Sequence, residues 1–282
     1  MIEPEQSPEI RVAGQFGRDV DLLHLEAAKT IGAVVSYIGR GYSGFAYQVG
    51  HRTVAGELLG AMEICIGFRP KLTVAGRTDS GVNARAQVIS FQIPADAHFD
   101  WRRFVKSMNS LMDDRVSVRR AWLAKDDFNA RFSARYRKYR YRFTYCATRD
   151  PFESFTSWMI PKRLDVAKMR EAAEAIRGEH DFSSFCRKDP NGASLVRRVD
   201  DILLEEDPDG LDVWITANSF CHQMVRSITG LLYQVGMKNK SPECVLDALC
   251  ARDRARVTLL APASGLTLWE VGYDEGVIPE WR

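Results

Sequence analysis

Apolar positions along the chain recur with two different periods, and the switches between them divide it into elements. Ile31–Ile38 is rich in β-branched residues and predicts a strand. Val54, Leu58, Met62 and then Cys65 or Ile66 recur at helical spacing, with Thr53 as the capping residue, so 54–68 reads as an amphipathic helix. Two short apolar runs, Leu72–Ala75 and Val88–Phe91, flank a polar stretch from Gly76 to Ala84 and predict a strand, a loop and a second strand. Trp101–Met112 carries Phe104, Met108 and Leu111 on one stripe, a second helix, and Val116–Trp122 is a strand.

The second half nearly repeats this series. Arg137–Tyr145 alternates as a strand, and Val166–Ile176 is a helix stopped by Gly178. Val196–Leu204 and Leu211–Ala217 are strands joined across Asp207-Pro208-Asp209-Gly210, a strong turn signal. Cys221–Val235 is a helix, Ser241-Pro242-Glu243 opens another with Ser as cap and Pro at its first position, and Leu266–Val271 closes the chain as a strand. The expectation is an α+β protein of two tandem halves, 29–126 and 127–282, with mostly antiparallel sheets flanking a central cleft. Residues 1–28 have no convincing period, although Val20–Ala28 could form a short helix, and they read as an extension.

Composition narrows the class. With 282 residues, 45% of them hydrophobic and 27% charged, the chain is globular and has ample length for a buried core. The formal net charge of +2 says little about partners, but its distribution says more. Arg131, Arg135, Arg137, Lys138, Arg140 and Arg142 fall within 131–142 with no acid among them, a footprint that suits a polyanion. Six cysteines with no C-x-x-C pair, in apolar surroundings, read as buried free thiols of a reducing compartment. The five histidines are not spaced as zinc ligands, no run of eighteen apolar residues is present, and the acidic start is not a signal peptide. A soluble cytoplasmic protein with no metal and no membrane partner is expected.

The candidate chemistry lies in Gly76–Ala84. Gly76 and Gly81 can take positive φ or admit another backbone closely, so the residues between them can be held in a fixed geometry. In an extended segment Arg77 and Asp79 share a face, and an Arg beside a carboxylate favours its charged form, as a nucleophile requires. An Asp that only caps the turn remains the alternative. On the strand 137–145, Tyr139, Tyr141 and Phe143 share one face while Lys138, Arg140 and Arg142 share the other. Arg226 sits among Met224, Val225, Ile228 and Leu232, and a buried Arg needs an anionic partner. A Cys221/His222 nucleophile pair is discounted, since adjacent helical residues do not face each other.

Arg77-Thr78-Asp79-Ser80-Gly81-Val82-Asn83-Ala84 resembles the signature R-T-D-A-G-V-H-A of TruA-type tRNA pseudouridine synthases. Tyr37–Phe45 is similar to that family's Y-D-G-T-x-F-x-G-W, Thr53–Leu58 to T-V-Q-G-E-L, Lys138–Tyr141 to K/R-Y-R-Y and Phe220–Arg226 to F-x-x-x-M-V-R. Phe128–Phe132, Ala134–Tyr141, Asp181–Phe185 and Ala217–Gly236 follow in the family's order, so the likeness runs from about Ile31 to Tyr273. The resemblance implies two ferredoxin-like halves around a catalytic cleft and a cofactor-free isomerisation of uridine in the tRNA anticodon stem-loop by a homodimer. It makes Asp79 the nucleophile, at C1′ or C6, and Tyr139 the base-stacking residue and a candidate acceptor of the C5 proton. Arg226 becomes the partner of the carboxylate.

By the same likeness Arg77 holds the extruded nucleotide. Phe128, Asn129, Ala130, Arg131 and Phe132 contact RNA, and Arg187 and Lys188 lie in a second RNA-contact region that matches less well. The chain departs from the pattern at Ile38, Phe45-Ala46, Ser80 and Asn83, which bears on loop packing near Asp79 and on the choice of uridine. A non-catalytic RNA-binding protein on the same fold and a nucleoside glycosidase are the competing readings.

Overall fold

In the computed structural model, which describes residues 28–187 and 192–279, the first half runs β1 (Ala28–Tyr37), α1 (Val54–Ile66), β2 (Thr73–Val74), β3 (Asn83–Pro94), α2 (Trp101–Leu111) and β4 (Val116–Leu123). The second runs β5 (Tyr136–Tyr145), β6 (Trp158–Ile160), α3 (Val166–Glu174), β7 (Gly178–Asp181), β8 (Val196–Asp207), β9 (Gly210–Ala217), α4 (Met224–Gly236), α5 (Cys244–Ala251) and β10 (Leu266–Gly272). The helix expected over Val20–Ala28 lies outside the described residues except for Ala28, which opens β1, and Lys188 also lies outside them. Caps appear where local chemistry calls for them. Thr53 accepts from the Gly56 N–H at 3.1 Å to start α1, and Asp100 accepts from Arg102 and Arg103 to start α2.

The α+β class with mostly antiparallel pairing holds, and both halves share one ten-stranded sheet in the order β4-β1-β3-β10-β5-β9-β8-β7. The exceptions to antiparallel pairing are β3–β10 and β5–β6. The last strand, β10, lies between the halves. It pairs with β3 in parallel through Thr267↔Asn83 and Leu268↔Ala84, and with β5 antiparallel through Leu268↔Tyr139. Ala84, Leu268 and Tyr139 therefore stand in one row across three strands, about 10 Å from end to end. This register brings the loop before β3 beside the aromatic face of β5.

Behind β5 the core is closed by α4. Tyr141 and Phe143 are fully buried, and Tyr233 of α4 stacks on Phe143 with ring centroids 6.0 Å apart. In the first half Leu58 and Met62 of α1 and Met108 of α2 are likewise fully buried against the sheet core.

Three sequence expectations change. The helix expected to open at Ser241-Pro242 begins at Cys244, because Pro242 and Glu243 first form a turn in which Cys244 N donates to Ser241 O. Gly178, expected only to stop a helix, has φ 98° and opens the short strand β7, which runs antiparallel to β8. The cysteines are not all buried free thiols. Cys186 and Cys221 form a disulfide between segments 35 residues apart, Cys65, Cys146 and Cys244 are half-buried, and Cys250 is exposed. Cysteine usage therefore no longer argues for a reducing compartment, since pairing of distant residues is set by the fold and not by local spacing.

Candidate active site

The loop carrying Asp79 is pinned from several sides. Gln87 Nε2 donates to Gly76 O at 2.6 Å and to the Tyr37 hydroxyl at 3.3 Å, which leaves that hydroxyl to meet Thr78 Oγ1 at 2.8 Å. Burial pushes the Tyr37 phenol up to about 12, so it stays a neutral donor. Gly44, at φ 93°, lies so close that a Cβ there would stand 2.9 Å from Thr78 O, and Phe45 N donates to that carbonyl at 3.1 Å. The turn itself closes through Val82 N to Asp79 O at 3.1 Å, with Gly81 at φ 78°. Gly76 needs no such freedom, since a Cβ there would meet only the Tyr139 hydroxyl at 4.0 Å. Asn83, where the resembled motif has His, accepts from Gly39 N at 2.8 Å. It donates to Phe155 O and Ser264 O at 2.9 Å each, tying both halves to the loop.

Asp79 meets α4 across this join. Its Oδ2 lies 3.3 Å from Arg226 Nη1 and its Oδ1 lies 3.1 Å from His222 Nε2. Arg226 is anchored by its Nε, which donates to Ala261 O at 2.8 Å, while Ala261 N donates back to Arg226 O at 3.1 Å. His222 sits on the turn just before α4. That turn is bounded by the disulfide-bonded Cys221 and by Gln223, whose φ of 68° is in the left-handed region. The backbone N–H of Arg187 donates to His222 O at 3.0 Å, so the segment after β7 lies against the same turn. With one oxygen held by a guanidinium and the other by an imidazole, Asp79 is a fixed and charge-compensated carboxylate rather than a plain turn cap.

Tyr139 forms the floor of the site. Its ring meets Phe220 edge-on at 4.9 Å, and little of it is exposed. Burial first, then the neighbouring Tyr37 and Asp79, push its phenol well above the ordinary tyrosine range, with Arg137 acting the other way.

Other residues singled out from the sequence are placed less uniformly. Arg77 is exposed, and the partners of Asp79 among the described residues are His222 and Arg226 instead. The period-two argument failed because β2 ends at Val74, so residues 77–79 are not strand. Phe128 and Ala130 are buried, Phe128 between Trp122 and Tyr273, and Asn129 Oδ1 accepts from the N–H groups of Arg131 and Phe132. Arg131 and Phe132 remain exposed at the tip, as does Arg187 beside the His222 turn.

The basic run does not form one cationic stripe. Arg137 is buried, its guanidinium spent on the carbonyls of Ala75, Arg131, Ala134 and Asn218, and burial lowers its pKa. Arg135 pairs with Asp274, Arg140 with Asp212, and Arg142 with Asp207 and Asp212. The neutralising acids come from distant parts of the chain, β8, β9 and the segment after β10, which the local count could not register. His222 was missed as a partner of Asp79 because its helical neighbours were weighed and the facing loop was not. No period could have found it, since His222 precedes α4 and the left-handed Gln223 breaks any helical spacing to Arg226.

A cavity of about 750 Å³ lies on the other face of the sheet, lined in part by Arg85, Arg119, Arg140 and Trp269. Asp79 does not line it, although Tyr37 and Asn83, which hold the Asp79 loop, do. Among the described residues no group of three or more His, Cys, Asp or Glu side chains is placed to hold a metal ion, and no helix is long and apolar enough to cross a membrane.

A family model described as tRNA pseudouridine synthase matches residues 172–274, the part that holds His222, Arg226 and β10. The protein called tRNA pseudouridine synthase A in Bacillus subtilis strain 168 is 39% identical over 243 residues, covering 85% of this chain and 97% of that one. Its namesake in Bacillus licheniformis is 36% identical over 242 residues, 85% of this chain and 97% of the other. The one in Listeria innocua is 37% identical over 245 residues, 86% and 98%.

Proposed function

The chain belongs to the tRNA pseudouridine synthase A family, and from that premise we propose that it isomerises uridines of the tRNA anticodon stem-loop with Asp79 as nucleophile and without a cofactor. The carrying observation is the Asp79 carboxylate, held at both oxygens by Arg226 and His222 and near enough to Tyr139 to act on its phenol.

The reaction breaks the N1–C1′ bond, turns the base and joins C5 to C1′. C5 gives up its proton and N1 gains one, so neither redox change nor net hydrolysis is needed. Asp79 attacks C1′ or C6 and holds the detached half until the new bond forms. Arg226 supplies the counter-charge that a largely buried carboxylate requires. Tyr139 is the surface on which the freed base rests. A phenol held so far above its usual range is neutral at working pH and a poor base, so the stacking role is the better supported of the two that the resemblance implies. Arg77 holds the extruded nucleotide. Arg131, Phe132 and Arg187 meet the RNA backbone from the exposed rim, with Phe128, Asn129 and Ala130 shaping the tip beneath. The working unit is a homodimer in the cytoplasm, as the family resemblance implies, and sedimentation of the purified protein reads its size.

tRNA carrying tritium at uracil C5 tests the assignment. The synthase releases tritium while the base stays attached, a glycosidase frees uracil, and a binding protein does neither. Asp79→Asn is expected to abolish tritium release while tRNA affinity stays within several-fold. Retained release by that variant would refute the nucleophile assignment.

A further inference from the structure

The two partners of Asp79 are not equivalent. Arg226 lies inside the first turn of α4, is 15% exposed, and is anchored at Nε by Ala261 O. His222 lies outside the helix, is 47% exposed, and its only side-chain polar contact among the described residues is Oδ1 of Asp79 at 3.1 Å. Each carboxylate oxygen has two lone pairs and accepts one contact here, but a hydrogen bond draws electron density from the oxygen that accepts it and makes that oxygen a weaker nucleophile. Oδ2 meets a guanidinium that Ala261 O holds in place, whereas Oδ1 is released by rotation of one half-exposed side chain.

We propose that His222 is a displaceable latch: it holds Asp79 at Oδ1 while no RNA is bound and swings away as the nucleotide enters, which makes Oδ1 the attacking oxygen. The inference rests on Asp79 being the nucleophile. The backbone around His222 is built to stay still while the ring moves. Cys221 is tied by its disulfide to Cys186, Gln223 holds a left-handed φ that persists only where the surroundings impose it, and the His222 carbonyl is taken by Arg187 N.

The test is the structure of the protein with tRNA bound, together with kcat/KM on tRNA tritiated at uracil C5 for the wild type, His222→Gln and His222→Leu, with Asp79→Asn in parallel. The glutamine keeps a donor, and the leucine keeps none. The expected result is an Nε2–Oδ1 separation opened beyond hydrogen-bond reach, about 3.5 Å, when tRNA is bound, and a loss short of about a hundredfold in both His222 variants. A contact kept in the tRNA complex overturns the latch. So does a loss of more than about a hundredfold in both variants, which would mean that the ring itself transfers a proton. Turnover by Asp79→Asn sinks the nucleophile reading and the latch together. An inactive Asp79→Asn beside a contact kept in the tRNA complex sinks the latch alone.

Discussion

Gln223 holds φ at 68°, a region that costs a residue other than glycine about 1–3 kcal/mol, and it does so between the disulfide-bonded Cys221 and the first turn of α4. That one torsion lets the chain leave the turn with His222 facing Asp79 and enter the helix with Arg226 one turn further on. Replacing it separates strain from contact. Gln223→Gly is expected to keep stability within about 1 kcal/mol, since glycine occupies the same region freely. Gln223→Val should cost about 1–3 kcal/mol because a β-branched side chain clashes there. Thermal melting reads both, and tritium release should fall further for Val than for Gly.

At the scale of elements, α4 works by carrying Arg226 against the segment 257–261. The approach is close because Gly230 has no side chain: a Cβ there would lie 2.2 Å from the Leu259 carbonyl oxygen and 3.3 Å from Ala261 N. Gly230→Ala must push this segment away, and with it the Ala261 carbonyl that anchors Arg226. The cost expected from such overpacking is about 1–3 kcal/mol. Because the displaced carbonyl orients the partner of Asp79, kcat should drop more than tenfold while tRNA binding holds. A variant with lowered melting temperature and unchanged kcat would show that Arg226 does not depend on this contact. Helices α1 and α2 were legible in the sequence because their caps and apolar stripes are local. The short strands β6 and β7 were not, since three or four residues show no period of their own.

On the scale of the whole molecule, the halves meet in the sheet through only two residue pairs between β3 and β10. Their alignment therefore relies on side chains that cross the join. Asn83, 2% exposed, binds Gly39 N in the first half and Phe155 O and Ser264 O in the second. Asn83→Ala leaves these groups without their partner and should cost about 1–3 kcal/mol. Since the same shift moves Asp79 relative to Tyr139 and Arg226, kcat should fall with little change in KM. Equal activity at a lowered melting temperature would mean that the join tolerates the loss.

The sequence by itself determined the α+β class, the alternating faces of β5 and the polar loop that presents Asp79, because periodicity, caps and glycine positions act over a few residues. The resemblance also named Arg226 as the partner of Asp79, 147 positions away, but only the tertiary structure decided the other meetings: His222 at the second oxygen of Asp79, Cys186 with Cys221, and Arg137 withdrawn from the basic run into a cage of carbonyls. A period states which face of an element is buried, but not what it is buried against. Charge and hydrogen-bond partners are chosen by strand order and register, and these arise from packing of the chain as a whole.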